Sequence, residues 1–183
     1  MSYMKYVPTL ETERLIIRPI TLDDVEEFYA MDSQPEVHLY LNRSPLKSSE
    51  EAKDYIKGLL QQYETHGIGR VAVIEKATNQ LIGWTGFKFI EEPMNDRINF
   101  LDFGYRYRKE SWGKGYATEA ALACIAFYYK NLTHIPLHAS THVDNQGSRK
   151  VLEKVGFKIT DTFKFTIWDI DCYWYEREAL SAK

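Results

Sequence analysis

Apolar positions along the chain recur at two spacings that keep trading places. In "ERLIIRPI" (residues 13–20) they alternate, as in a strand with one buried face. From Thr21 the interval lengthens: Val25, Phe28 and Tyr29 fall at helical spacing, with Thr21 as candidate N-cap and Asp24 three residues on. Ser48 and Glu51 repeat that capping pattern before Ala52, Tyr55, Ile56, Leu59, Leu60 and Tyr63, one face of a second helix that should end near Gly67. Faces of this kind are core material rather than cofactor contacts.

The middle of the chain is rich in β-branched and aromatic residues. "RVAVIE", "LIGWTGFKFI" and "INFLDFGYRY", broken by "KATNQ" and "EEPMNDR", read as an antiparallel meander of three strands. A third helix is predicted from Gly115 to about Lys130, with Ala117, Ala121, Cys124, Ile125 and Tyr128 on one face. "PLHAST" is a short strand, "NQGSRKVLEKVG" a helix capped by Asn145 and stopped by Gly156, and "FKITDTFKFTI" with "DCYWYERE" a closing pair of strands. The predicted order is β-α-α-β-β-β-α-β-α-β-β. It describes an α+β fold with a mixed, largely antiparallel central sheet flanked by helices.

Composition narrows the class. A chain of 183 residues with 44% hydrophobic and 27% charged residues suits a single folded domain over 1–183. The balance of 23 basic and 26 acidic residues, net charge -3, gives no bulk attraction for nucleic acid or an anionic membrane, so neither is expected as a direct partner. Cys124 and Cys172 make neither a disulfide framework nor a metal-ligand set, and no metal site is expected. No apolar run is long enough to cross a bilayer, and "MSYMKYVPTLETERL" lacks the apolar core of a secretion signal, so a cytoplasmic location is expected. Monomer and homodimer stay equally open.

The chemistry concentrates in "KESWGKGYATEA" (residues 109–120). A strand ending near Tyr107, a loop with Gly113 and Gly115, and a helix start together present backbone N–H groups without intrahelical partners, and the helix dipole adds positive potential. Arg106, Arg108, Lys109 and Lys114 raise it further. The alternative is a tight strand-to-helix turn and nothing else. A P-loop is ruled out because Lys114 is followed by Gly115, and a G-x-G-x-x-G turn because position 118 is Thr.

"ESWGKGYATEA" resembles the acetyl-CoA pyrophosphate motif [QR]-x-x-G-x-[GA] of the GCN5-related N-acetyltransferase (GNAT) superfamily, with Glu110 where the family has Gln or Arg. "LETERLIIRPI", "DFGYRYRKESWGKGYATEA" and "NQGSRKVLEKVGF" are similar, in order, to the RimJ/RimL-like branch, which includes acetyltransferases of ribosomal-protein N-termini. The resemblance implies an N-acetyltransferase using acetyl-CoA as co-substrate and a primary amine as acceptor. It places the pyrophosphate on backbone groups from Ser111 through Trp112, Gly113, Lys114, Gly115 and Tyr116 to Ala117, with Tyr105, Arg106 and Tyr107 on the neighbouring strand. Asn145 and Ser148 match positions along the pantetheine arm and thiol end, although Asn145 is equally a good N-cap. Arg149 and Lys150 could meet the 3′-phosphate or form a solvated helix face.

Acyl transfer from a thioester needs a neutral amine, a stabilised oxyanion and a proton for the thiolate. At pH 7 roughly 9% of α-amines but only about 0.04% of lysine amines are neutral, so an α-amine needs less help from a base. That favours a protein or peptide N-terminus as acceptor over a polyamine, antibiotic or amino acid. Asp102 is the candidate base, at a point on the central strand where the family often carries a carboxylate; its shortness points to a water-mediated route. Leu152 stands where many relatives have an acidic Tyr, and the resemblance instead makes Ser148 the partner of the leaving sulfur. The oxyanion donor is expected to be a backbone N–H near Tyr105 or Arg106. His142 is read as structural or solvated, and a Cys–His nucleophile as improbable, which leaves direct transfer in a ternary complex. The other class of reading is a module that binds acyl-CoA without turnover.

Overall fold

The computed structural model describes residues 7–177. Strands β1 (Leu10–Glu11), β2 (Leu15–Pro19), β3 (Arg70–Glu75), β4 (Gln80–Ile90), β5 (Phe100–Tyr107), β6 (Leu137–His142), β7 (Phe157–Phe165) and β8 (Ile170–Arg177) form one sheet in the order β1-β2-β3-β4-β5-β6-β8-β7. The helices are α1 (Val25–Asp32), α2 (Ser49–His66), α3 (Tyr116–Asn131) and α4 (Gln146–Lys154). The predicted order holds with one addition, β1, whose two residues are too few to show a period. Residues 1–6, part of the stretch read as no secretion signal, and Glu178 of the last predicted strand lie outside the described residues. Among the described residues no helix is long and apolar enough to cross a membrane.

The capping signals act as read. Ser48 Oγ accepts from the Glu51 N–H at 3.3 Å, and the Glu51 carboxylate accepts from the Lys47 N–H at 2.8 Å. Gly67, at φ 66°, ends α2 in the left-handed conformation. Ala52, Ile56 and Leu59 of α2, with Phe28 and Met31 of α1, cover Ala72, Ile74 and Trp84 on one face of the sheet. Ala120, Ala121, Cys124 and Ile125 of α3, with Leu152 of α4, cover Val73, Phe87, Leu101 and Phe103 on the other. Each buried aliphatic side chain contributes roughly 1.5–3 kcal/mol. Tyr63 ties α2 to two strands: its hydroxyl accepts from the Ile20 N–H at 3.0 Å and donates to the Arg70 carbonyl. Burial pushes its pKa up to about 12.

Two arginines lie inside the α1/α2 layer. Arg106 Nη1 donates to both oxygens of Asp32, at 2.9 and 3.0 Å, and its guanidinium sits over Trp84 and Tyr55. Asp32 is 1% exposed, with His38 Nε2 at 3.7 Å. Arg70 crosses beneath β4 and β5, donating to the carbonyls of Gly86 and Asp102 and to the Asp102 carboxylate, while stacking on Trp84. A Cβ on Gly104 would come within 2.8 Å of that guanidinium, so the glycine of "DFGYRY" clears the arginine's path.

Breaking the Asp32 pair leaves a charged guanidinium with little solvent, so Asp32→Asn is expected to lower unfolding free energy by about 3–5 kcal/mol in urea titration. A loss below about 1 kcal/mol would mean Arg106 finds compensation elsewhere. His138, packed between Phe100 and Trp174, is held below its ordinary pKa by burial. The unfolded chain therefore takes up a proton near pH ~6.5 that the native state refuses until lower pH, and stability falls with pH through that window. His138→Gln should flatten this part of the stability-versus-pH curve.

Candidate active site

β5 and β6 are the only parallel pair in the described sheet, and they pair for two rungs, Leu101 with Leu137 and Asp102 with His138. Beyond Asp102 the two strands have no further partners in each other. Alternation fixes what this exposes. The Arg108 N–H donates to Ile82 at 2.9 Å, so the backbone groups of Asp102, Gly104 and Arg106 point towards β4; the Leu101 N–H donates to Pro136 at 2.8 Å, so those of Phe103, Tyr105 and Tyr107 point towards β6. Of the two expected oxyanion donors, the Tyr105 N–H faces the gap. The Arg106 N–H belongs to the β4 ladder.

The side chains divide across the sheet in the same way. Tyr105 lies on the α3/α4 face, where its hydroxyl reaches Ser148 Oγ at 3.0 Å and donates to the Ser148 carbonyl at 2.9 Å. Burial raises its pKa well above the ordinary tyrosine value. The Ser148 N–H in turn donates to Asn145 Oδ1 at 3.1 Å, so three of the sequence candidates, Tyr105, Asn145 and Ser148, meet at the gap. Asp102 lies on the opposite face, 17% exposed, with Oδ2 at 2.5 Å from Arg70 Nη2. Neither a solvent-facing carboxylate nor an unpaired one, it is oriented by a partner that the sequence did not suggest.

At the glycine turn, Gly113 and Gly115 take φ of 73° and 82°. A Cβ on Gly113 would meet nothing within 4 Å, so the positive φ, and not crowding, demands glycine there. The Ser111 and Trp112 N–H groups are already bonded to the Arg108 and Lys109 carbonyls in a 3-10 turn, and the Glu119 N–H to the Gly115 carbonyl. The open amides therefore lie within the shorter run 113–118. Trp112 Nε1 donates to the Tyr107 carbonyl at 2.9 Å and pins the turn to β5. Tyr116 points away, towards β3, where its hydroxyl donates to Glu75.

The cations fare differently from expectation. Arg106 binds Asp32, Arg108 donates to the carboxylate and carbonyl of Glu27, and Lys109 Nζ lies 2.6 Å from Glu36. Only Lys114 among the four stays outside such pairs and exposed. Arg14, which no local motif signals, comes to the turn instead: it donates to the Lys114 carbonyl at 2.9 Å and pairs with Glu119 at 2.7 Å. Arg149 stacks on Tyr173 and donates to the Val143 carbonyl, Lys150 is exposed, and Leu152 is core. Both cysteines are buried, with thiol pKa values pushed up by burial to about 12 at Cys124 and about 11 at Cys172.

A cleft of about 460 Å³ lies where the chain after α1 (39–43), the end of β6 (142–144) and the turn between β7 and β8 (168–171) meet. Leu39, Leu41 and Trp168 give it an apolar wall, Arg43 a positive charge, and Asp144, Asp169 and Asp171 negative charge. Lys164 lies 3.1 Å from Asp169 and offsets part of that charge. His142 forms part of the lining: its Nδ1 accepts from the Asp144 N–H at 3.1 Å and its ring packs on Tyr40.

Residues 14–158 match the family model described as "Acetyltransferase (GNAT) domain". Over 151 residues the chain is 32% identical to an uncharacterized N-acetyltransferase, p20, of Bacillus licheniformis, covering 82% of each. A ribosomal-protein-S5-alanine acetyltransferase from Vibrio fischeri superposes with TM-score 0.74 at 20% identity, covering 96% of this chain and 99% of that one. A RimL ribosomal L7/L12 α-N-protein acetyltransferase in complex with coenzyme A superposes with TM-score 0.73 at 19% identity, over 94% and 98%.

Gly115→Ala forces a side chain into the left-handed region, at a cost of about 1–2 kcal/mol. The expected result is a comparable loss in chemical denaturation together with weaker acetyl-CoA binding by calorimetry. Unaltered acetyl-CoA affinity would separate the turn from the cofactor.

Proposed function

The chain belongs to the GNAT acetyltransferase family and is an acetyl-CoA-dependent acyltransferase; from that premise we propose that it acetylates the α-amine of a protein or peptide N-terminus, within one domain and by direct transfer. The observation that carries the reading is the parting of β5 and β6, with the glycine turn following the end of β5 and a carboxylate-bearing cleft at the end of β6. It gives thioester and amine separate approaches to one point.

The pyrophosphate is held by the amides of 113–118 and the dipole of α3, with Lys114 and Arg14 supplying positive charge. The pantetheine arm replaces the missing strand partner of β5 along Tyr105, and its thiol end reaches Asn145 and Ser148. The amine enters from the α1/α2 side, where its nitrogen attacks the acetyl carbon. Its proton passes through water to Asp102, which Arg70 keeps in place. Negative charge gathers on the carbonyl oxygen beside the Tyr105 N–H, the C–S bond breaks, and the Ser148 hydroxyl hydrogen-bonds the departing thiolate. A thiolate with pKa near ~8.5 leaves without full protonation.

An α-amine is supported by its larger neutral fraction at pH 7 and by the fold shared with two proteins named as ribosomal-protein acetyltransferases. A small cationic amine is the second reading, because a cleft of this volume matches small-molecule sites and three carboxylates line it.

Thiol release from acetyl-CoA, with product masses, across peptides, lysine peptides, polyamines and aminoglycosides tests the acceptor. Transfer to peptide N-termini is expected; transfer to polyamines alone would install the second reading. Ser148→Ala is expected to lower kcat by about 10-fold or more with acetyl-CoA affinity kept. An unchanged kcat would remove Ser148 from the mechanism.

A further inference from the structure

Glu110 occupies the motif position where Gln or Arg is usual, and its carboxylate turns away from the glycine turn. It accepts two hydrogen bonds from Gln34 Nε2, at 2.9 and 3.1 Å, while Gln34 Oε1 accepts from the Lys109 N–H at 3.0 Å. One amide side chain thus spans two consecutive residues of the turn. Lys109 adds its pair with Glu36, and Arg106 and Arg108 fasten the same strand end to Asp32 and Glu27.

Gln34 is followed by the 3-10 turn Pro35–His38, which leads without a break into Leu39, Leu41, Asn42 and Arg43 of the acceptor-side cleft. The Glu110 carboxylate is held by its own backbone N–H as well as by Gln34, and both keep its pKa below the ordinary carboxylate value. The chain leading into α3 and the chain walling the cleft are one mechanical unit, joined by contacts that are largely exposed and therefore adjustable.

We propose that Glu110 and Gln34 are positioning residues that couple acetyl-CoA binding at the glycine turn to ordering of the cleft wall, 34–43. The coupling rests on the reading that 113–118 holds the pyrophosphate and that the cleft receives the amine. Acetyl-CoA fixes the turn; the turn, through Glu110, Lys109 and Gln34, fixes the wall; the amine then meets a formed site.

Hydrogen exchange with acetyl-CoA as probe tests this without any acceptor. In the wild-type chain acetyl-CoA is expected to slow exchange about tenfold in both 113–118 and 34–43. In Glu110→Ala and Gln34→Ala the slowing at 113–118 persists and that at 34–43 is lost, and the double variant behaves like either single one. Glu110→Gln keeps an acceptor oxygen for Gln34 Nε2 and should restore part of the effect, which a purely structural role for the pair would not produce. Protection confined to 113–118 in the wild type overturns the coupling while leaving the cofactor reading intact. Loss of acetyl-CoA affinity in Glu110→Ala by calorimetry also overturns it, because Glu110 would then serve the cofactor directly. Absence of any acetyl-CoA binding by the wild type would defeat the cofactor reading itself, and the coupling with it.

Discussion

Past Asp102 and His138, β5 has a full set of hydrogen-bonding groups on one edge and no strand to receive them. A buried amide or carbonyl without a partner costs about 1–3 kcal/mol, so the fold must bring something into the gap or keep it wet. A side chain of the following turn meets part of this: Trp112 donates to the Tyr107 carbonyl. What stays open at Tyr105 is backbone free to pair with an extended ligand, the place that the proposed mechanism gives to the pantetheine arm. The same parting separates the two faces of the sheet at that one place.

Holding a sheet open requires rigidity on either side of the opening. On the α1/α2 side this comes from buried charge, with Asp32 gripping Arg106 and Arg70 gripping β4 and β5 together. Such pairs contribute little net stability compared with apolar packing, but a broken one is costly, which gives the arrangement a steep preference for a single geometry. On the α3/α4 side, small residues of α3 let the helix sit close to the sheet, and polar contacts from Trp112 and Arg14 fix its N-terminal end.

The sequence was most informative where structure is local. Ser48, Gly67, Asn145 and Gly156 marked helix ends because capping and positive φ are decided within a few residues. Gly113 and Gly115 marked the turn for the same reason. Partners distant along the chain were not legible: Arg14 reaches Glu119, Arg70 reaches Asp102 and Arg106 reaches Asp32 across separations that no periodicity encodes. The cations near the turn looked like anion ligands because like charges in sequence look alike whatever they face. Asp102 was proposed from its place on the strand and the family resemblance, and its guanidinium neighbour was not foreseen, since an arginine opening a strand has no visible direction. β1 escaped because two residues make no pattern.

The strap between Thr12, Arg14 and Glu119 bears on how the protein can be shortened. Thr12 Oγ1 donates to Glu119 at 2.6 Å, and the Arg14 backbone N–H and guanidinium donate to the same carboxylate. Among the described residues, a truncation carried past this point would remove no helix and only a two-residue strand, and by ordinary domain-trimming criteria it would look harmless. It would nevertheless release the first turn of α3 and the arginine that steadies the Lys114 carbonyl. Thr12 and Arg14 are, in working terms, part of the support of the glycine turn.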